Sequence, residues 1–383
     1  MSKLIAVTVG TRPEVIKLAP LVRALQASQD LRVLLISTAQ QRDFLAQALA
    51  DFGLRADVDL DVMLPQQSLW ESLGRALERL GDAYRDQSPD LVVVQGDTTT
   101  ALAGALAAHY QKIPVAHVEA GLRSFDMLRP HPEEANRCLV TRLASLHFAP
   151  TEGAAANLRS EAVAEQAIFV TGNTVIDALE AVRARASGDR ADTAPALELA
   201  SAIEARGRRF VLVTAHRRES LSGGLQQIAA ALCELRDREP EVEVVVCLHK
   251  NPAVSDVFEA QLRGRERLHL IDAQPYPVFL ELLARSALVL TDSGGIQEEA
   301  PFFGKPVVVL REVTEREEAV DTGHACLAGF DAVRIVELAR AALSNSAPIP
   351  TVRLFGDGRA SERIVCHVRA FLGLSASPIE SRG

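Results

Sequence analysis

The sequence predicts an α/β protein of two domains, each built on a parallel β-sheet with helices on both faces. Three observations predict it. Short apolar, β-branched runs recur along the 383 residues, each followed by a stretch with helical spacing. The strand runs are continuously apolar rather than alternating, as strands buried on both faces are. The polar residues that stand out fall directly after strand runs, where open α/β sheets bind ligands.

Taken in order, a strand at 4–9 ends at Gly10-Thr11-Arg12-Pro13-Glu14. A helix over 15–27 follows, with Pro13 in a first turn where its missing N–H costs nothing. Next come a strand at 31–37, a helix at 41–52 and an amphipathic stretch at 69–84. A strand at 90–95 runs into Gly96-Asp97-Thr98-Thr99-Thr100 and an Ala-rich helix to residue 109. Another, at 114–118, ends at Glu119-Ala120-Gly121; a polar loop at 125–132 then precedes a helix at 133–143 and a short strand at 146–149. After a strand at 167–171, Gly172-Asn173-Thr174 opens a helix. The stretch 183–207 is polar and irregular in period, and reads as the approach to the second domain. There, strands at 210–214, 242–248, 268–272, 287–291 and 306–310 alternate with helices at 221–236, 254–262, 278–285 and 295–303. Residues 347–350 interrupt the chain, and a last helix at 361–372 is expected to fold back on the first domain. The domains are thus expected at 1–172 with 357–373, and at 173–356.

A formal net charge of −9 argues against a bulk nucleic-acid binder, which would be basic; a small anionic ligand needs only a local cluster of cations. The five cysteines are scattered without a CxxC pair, so neither a zinc site nor a disulfide framework is expected. The start reads as a strand rather than a signal peptide, and no apolar run reaches membrane-spanning length. A cytoplasmic protein is the expectation.

The chemistry centres on Thr291-Asp292-Ser293-Gly294-Gly295-Ile296-Gln297-Glu298-Glu299. A strand, a tight turn and a helix start would aim the N–H groups of Ser293, Gly294 and Gly295 at a phosphate, with Glu299 one turn on for a ribose or sugar hydroxyl. Alternatively, Ser293 is only an N-cap. Arg12 and Lys17 follow the first strand and can serve the same ligand or stay surface cations. Asp97, Glu119 and Glu133 sit at strand ends or a helix start, where a general base can be tuned by burial. Taken singly each has an alternative as a helix cap, clearest for Asp97 and Glu133; Glu119 is the least easily explained that way, since it directly follows an apolar strand. His216-Arg217-Arg218-Glu219 and Arg316 follow strands of the second sheet and suit a phosphate-bearing ligand. No GxGxxG, P-loop or metal-ligand spacing is present, so no cofactor and no metal are expected.

In their order these motifs resemble the non-hydrolysing UDP-N-acetylglucosamine 2-epimerases of bacteria. The resemblance rests on Gly10 to Lys17, Gly96 to Thr100, His117 to Arg123, Pro132 to Arg137, Thr171 to Thr174, His216 to Glu219, Asp292 to Pro301 and Gly356 to Ser361. It implies a GT-B fold, two Rossmann-like domains with the active site in the cleft between them. It implies reversible conversion of UDP-GlcNAc to UDP-ManNAc without NAD or a metal, through elimination of UDP to a 2-acetamidoglucal and re-addition. By this resemblance Asp97, Glu119, Glu133 and His216 are catalytic. Arg12, Lys17, Arg137, Ser293, Gly294, Gly295, Glu299 and Arg316 bind UDP or sugar, and Gln274 and Phe279 flank the uracil. A homodimer serving polysaccharide biosynthesis is implied as well. The chain departs from the family at Gln95 (usually His), at Glu317 (usually Pro), in the loop 128–131, and at Gln40-Gln41-Arg42, where Gln-His-Arg is common and tied in some members to activation by a second UDP-GlcNAc. Alternatives are the same chemistry on a modified UDP-HexNAc, the hydrolysing reaction, a glycosyltransferase of this fold, and a non-catalytic sensor.

Overall fold

The computed structural model describes residues 2–39, 42–64, 67–186, 194–217, 220, 223–249, 251–345 and 351–374. The expected Gln40-Gln41 motif, Arg218 and Glu219, and the break at 347–350 lie outside the described residues. Contacts divide the chain into two units, Met1–Ala181 with Phe355–Gly383, and Val182–Leu354.

Unit 1 holds a seven-stranded parallel sheet: β1 (Lys3–Val9), β2 (Leu31–Ser37), β3 (Val58–Asp59), β4 (Leu91–Gln95), β5 (Val115–Val118), β6 (Leu146–Ala149) and β7 (Ile168–Val170). Their order is β3-β2-β1-β4-β5-β6-β7. Alternate residues of each strand feed opposite cores, which is why the runs read as continuously apolar. Ile5, Val7, Val93 and Val118 join one core; Ala6, Ile36, Val92 and Val94 join the other. Helix α1 (Arg12–Gln26) covers the first face; α3 (Leu69–Gln87) and α4 (Thr99–Tyr110) cover the second. The final helix, α15 (Ala360–Phe371), lays Ile364, Val365 and Val368 into the first core, as expected from the sequence.

Unit 2 holds a six-stranded parallel sheet: β8 (Arg209–Thr214), β9 (Val242–Cys247), β10 (Leu268–Ile271), β11 (Leu288–Thr291), β12 (Val307–Val309) and β13 (Ala325–Leu327), ordered β10-β9-β8-β11-β12-β13. Helix α12 (Gly294–Phe302) leaves β11 directly. Among the described residues no helix is long and apolar enough to cross a membrane.

Four differences from the sequence reading have physical reasons. The stretch 183–207 contains a regular helix, α8 (Pro195–Ala205), with Leu197, Ala200 and Ile203 buried. Its Ala-rich composition blurred a real apolar face. Helix α6 (Glu152–Ser160) and helix α14 (Ala332–Ser344) are further additions: in α6, Gly, Asn and Arg among the alanines dilute the period, whereas α14 has a regular buried face of Ile335, Val336, Ala339 and Leu343. Strands β3 and β13 are two and three residues long, too short to show a period. The first unit also extends past residue 172, into α7 (Thr174–Ala186). The start of α7 is tied to the C-terminal segment: Asn173 N donates to Phe355 O at 2.6 Å, and Asp177 accepts from Ala360 N and Ser361 N.

Candidate active site

In unit 1 the site is built on the loops after β1, β4 and β5. An ideal Cβ on Gly10 would lie 2.0 Å from Thr100 Oγ1 and 2.4 Å from Thr38 Oγ1, so the chain leaves β1 here only as glycine. Glu14, fully buried, ties the first two loops together. Its Oε2 accepts from Gly10 N (3.0 Å), Thr11 N (2.7 Å) and Thr11 Oγ1 (2.8 Å), and its Oε1 from Thr98 Oγ1 (2.7 Å). Burial pushes its carboxyl up to about 7 against these donors. The clamp sets Arg12, at the first turn of α1, beside the loop that carries Asp97.

Asp97 does not cap α4. Thr98 is the cap, accepting from Ala101 N at 3.0 Å. Asp97 instead pairs with Arg137 of α5 (Glu133–Leu143), and its carbonyl accepts from Asn136 Nδ2 at 2.9 Å. Glu133 opens α5 and is partly buried. No side chain caps α5; its neighbour Glu134 instead holds the preceding loop, accepting from Ser124 N and Phe125 N, and pairs with Arg137 Nη1 at 3.1 Å. Glu119 stands at the end of β5 with φ +64°, a backbone state costly for a side-chain-bearing residue. Its buried Oε2 takes the ammonium of Lys17 and, at 2.7 Å, Asn173 Nδ2. Behind it, His117 Nε2 meets Gly96 O at 2.7 Å, and burial pushes His117 down to about 3. Asp97, Glu119, Lys17 and Arg137 therefore lie in connected ion-pair and hydrogen-bond networks at one end of the sheet.

In unit 2 the loops after β8 and β11 meet. Thr214 Oγ1 and Thr291 Oγ1 pair at 2.7 Å across the two strands. Asp292, fully buried, accepts on Oδ2 from His216 N and Arg217 N, each at 2.7 Å. Ser293 makes no side-chain cap, and its backbone N–H donates to Thr291 Oγ1 at 3.0 Å rather than pointing outward. This corrects part of the sequence reading: the amides at the start of α12 that remain for an anion are those of Gly294 and Gly295. Around Gly295 a Cβ would meet nothing within 4 Å. Arg316 is 5% exposed, with Nε on Glu298 Oε1 (2.9 Å) and Nη1 on Glu315 Oε2 (3.0 Å). Its guanidinium packs on Gly294, where a Cβ would sit 2.6 Å away. Its first task is thus to brace the helix start. Glu299 accepts from Tyr276 OH at 2.8 Å, which fixes its carboxylate. Gln274 and Phe279 lie at and just inside α11 (Tyr276–Arg285), partly buried, with Gln274 Nε2 on Asp272 O at 2.7 Å. The sequence reading missed Asn173 and His249. Asn173 lies within Thr171 to Thr174 with no feature that assigns it a role, and His249, with its ring centroid 5.3 Å from that of His216, carries no sequence signal at all.

Residues 23–369 match the family model described as UDP-N-acetylglucosamine 2-epimerase. The chain is 46% identical over 360 residues to a UDP-N-acetylglucosamine 2-epimerase of Yersinia pestis, covering 93% of this chain and 96% of that one. It is 44% identical over 367 residues to that of Escherichia coli K12, covering 93% and 96%. An S. aureus MnaA–UDP co-structure superposes with a TM-score of 0.91 at 39% identity, covering 100% of both chains. A Neisseria meningitidis UDP-GlcNAc 2-epimerase bound to UDP-GlcNAc superposes with a TM-score of 0.88 at 40% identity, covering 97% of this chain and 100% of that one. Two doubly wound sheets, acids gathered at one and an open helix start at the other, accompany likeness over nearly the whole chain: it belongs to the UDP-N-acetylglucosamine 2-epimerase family.

Proposed function

We propose that the chain interconverts UDP-GlcNAc and UDP-ManNAc without releasing free sugar. A carboxylate of unit 1 takes the proton from carbon 2 while the bond from carbon 1 to UDP breaks, giving a 2-acetamidoglucal. UDP then adds back to carbon 1 and a proton returns to carbon 2 on the other face. The sequence is redox-neutral, so it asks for no hydride carrier. The observation that carries this reading is Glu119: a buried carboxylate in a left-handed backbone position, held by Lys17 and Asn173. A residue that only binds has little use for such a costly arrangement. Asp97 and Glu133 complete the acid/base set, with Arg12 and Arg137 beside them. In unit 2, Gly294, Gly295 and His216 hold the diphosphate, Ser293 lines it, Glu299 takes the ribose, and Gln274 and Phe279 flank the uracil. Holding both fragments keeps the return step effectively unimolecular. A cytoplasmic homodimer is the expected form.

The test is proton NMR of the protein with UDP-GlcNAc in deuterated water. UDP-ManNAc with deuterium at carbon 2 is the expected product. Free ManNAc with UDP would replace this reading by the hydrolysing reaction, and an unchanged spectrum would remove UDP-GlcNAc as the substrate.

A further inference from the structure

We infer that Asp292 is a positioning residue for His216, holding its Nδ1–H so that Nε2 is the nitrogen that gains a proton and donates to the departing diphosphate. The inference rests on the proposed role of His216. Asp292 Oδ2 is consumed by two backbone amides, His216 N and Arg217 N at 2.7 Å, with Ser220 Oγ at 3.4 Å. Its Oδ1 is buried without a hydrogen-bond partner among the described residues and lies 3.8 Å from His216 Nδ1. Leaving a carboxylate oxygen buried and unsatisfied is costly, so this one has a use. The neighbouring hydroxyls of Thr214 and Thr291 are paired with each other and do not supply it. At 3.8 Å the two atoms face each other without a formed hydrogen bond, and such contacts tighten when a ligand engages. The backbone bonds from the His216 loop to Asp292 keep the two side chains together through that step.

The surroundings agree. Asp292 lies two residues before α12, whose N-terminal end favours its negative charge. His249 faces His216 from the loop after β9, and burial together with His216 holds it below the ordinary histidine range. Among the described residues Asp292 Oδ1 is the acceptor placed toward His216 Nδ1, whereas His249 Nδ1 already accepts from Asn251 N at 3.1 Å. A ring with Nδ1–H held by a carboxylate can take a proton on Nε2 and make a charge-assisted hydrogen bond to an anion. The negative charge on UDP grows as the bond to carbon 1 breaks, so this bond strengthens in the transition state.

The test is Asp292→Asn. The amide oxygen can keep both backbone bonds, while its NH2 group faces Nδ1 as a donor and inverts the tautomer. With 15N-histidine-labelled protein, His216 is expected to carry its proton on Nδ1 in the wild type and on Nε2 in the variant. Turnover of UDP-GlcNAc should fall about a hundredfold or more, with KM within about threefold. The same tautomer in both proteins overturns the inference, and so does an inverted tautomer with full turnover. If the variant does not fold, the wild-type spectrum decides alone: an Nε2–H ring on His216 overturns the inference. His216→Ala separates the two readings. Full turnover in that variant removes the role of His216, whatever the tautomer shows. Lost turnover with an unresponsive tautomer removes only Asp292.

Discussion

Both units order their strands the same way, turning outward from β1 and β4 in one and from β8 and β11 in the other, yet the loops at the two turning points are filled with opposite chemistry. In unit 1 the loops after β1, β4 and β5 carry long charged side chains, Lys17 on Glu119 and Arg137 on Asp97, sunk into the protein. In unit 2 the loops after β8 and β11 leave a pair of threonines and carry two glycines and one buried aspartate that holds the His216 backbone, while the buried charges of Arg316 and Glu315, after β12, brace the helix start. Topology supplies a place where loops diverge and a ligand fits. It does not say what the place does. Side chains with nearby counter-charges suit proton transfer, and small residues at a helix start suit an anion. That contrast is the division of labour proposed above, and substitutions on either side test it.

The largest expected effect is on the unit 1 side. Glu119→Gln should lower turnover about a thousandfold, the middle of the range for a lost general base, while calorimetry finds UDP affinity within about threefold of the wild type. Lys17→Met leaves a buried carboxylate without its cation and should cost about 3–5 kcal/mol of stability, read by denaturant unfolding. The double variant Lys17→Met with Glu119→Gln should recover most of that stability and none of the activity. Equal losses of UDP binding and turnover in Glu119→Gln would end the division of labour.

The contrast also explains what could be read before the fold was known. The longer strands were legible because both sheets bury both faces; Asp97, Glu119 and the Gly-Gly turn were legible because they follow apolar runs, and Glu133 because it opens a helix. The partners were not. Nothing near Glu119 in sequence points to Asn173, which arrives from 54 residues away through the turn after β7. The sequence equally suggested that Ser293 offers its amide to a ligand; Thr291, two residues back, takes it. Arg316 looked like a ligand contact because it follows a strand, and only the folded chain brings Glu298 and Glu315 to its guanidinium. Burial decides which side of a residue is available, and burial is long-range.

A second prediction concerns pH. His117 and His147, both in unit 1, are pushed down to about 3 and about 4 by burial. A histidine depressed in the folded state leaves the unfolded chain to bind the proton first. Its contribution is present above pH 6.5 and is lost as pH falls toward the folded value. At about 1.4 kcal/mol per unit, His117 alone accounts for roughly 3 kcal/mol between pH 6.5 and 4. Glu14 works the other way: raised to about 7, it adds stability below pH 4.5 that is lost as pH rises through 7. His117→Gln can keep the hydrogen bond to Gly96 O while removing the titration. Its denaturant midpoint should therefore vary less than that of the wild type over this range. Identical pH profiles would show that the cost of charging His117 is not borne by the fold.

The smallest effects test the anion side, at two adjacent glycines with opposite surroundings. Gly294→Ala drives a methyl into the Arg316 guanidinium, 2.6 Å away and pinned by Glu298 and Glu315, so it cannot swing aside. A loss of about 1–3 kcal/mol in stability is expected. Gly295→Ala meets open space at a helical position, where alanine is favoured by up to about 1 kcal/mol. That variant should be as stable as the wild type or slightly more so. Any loss of UDP affinity in it then reports only the methyl group standing where a phosphate approaches the amide. A drop of about tenfold in UDP affinity, alongside unchanged or raised stability, would place the diphosphate at this helix start. Unchanged affinity would move the anion away from Gly295 and leave His216 to hold it without the helix.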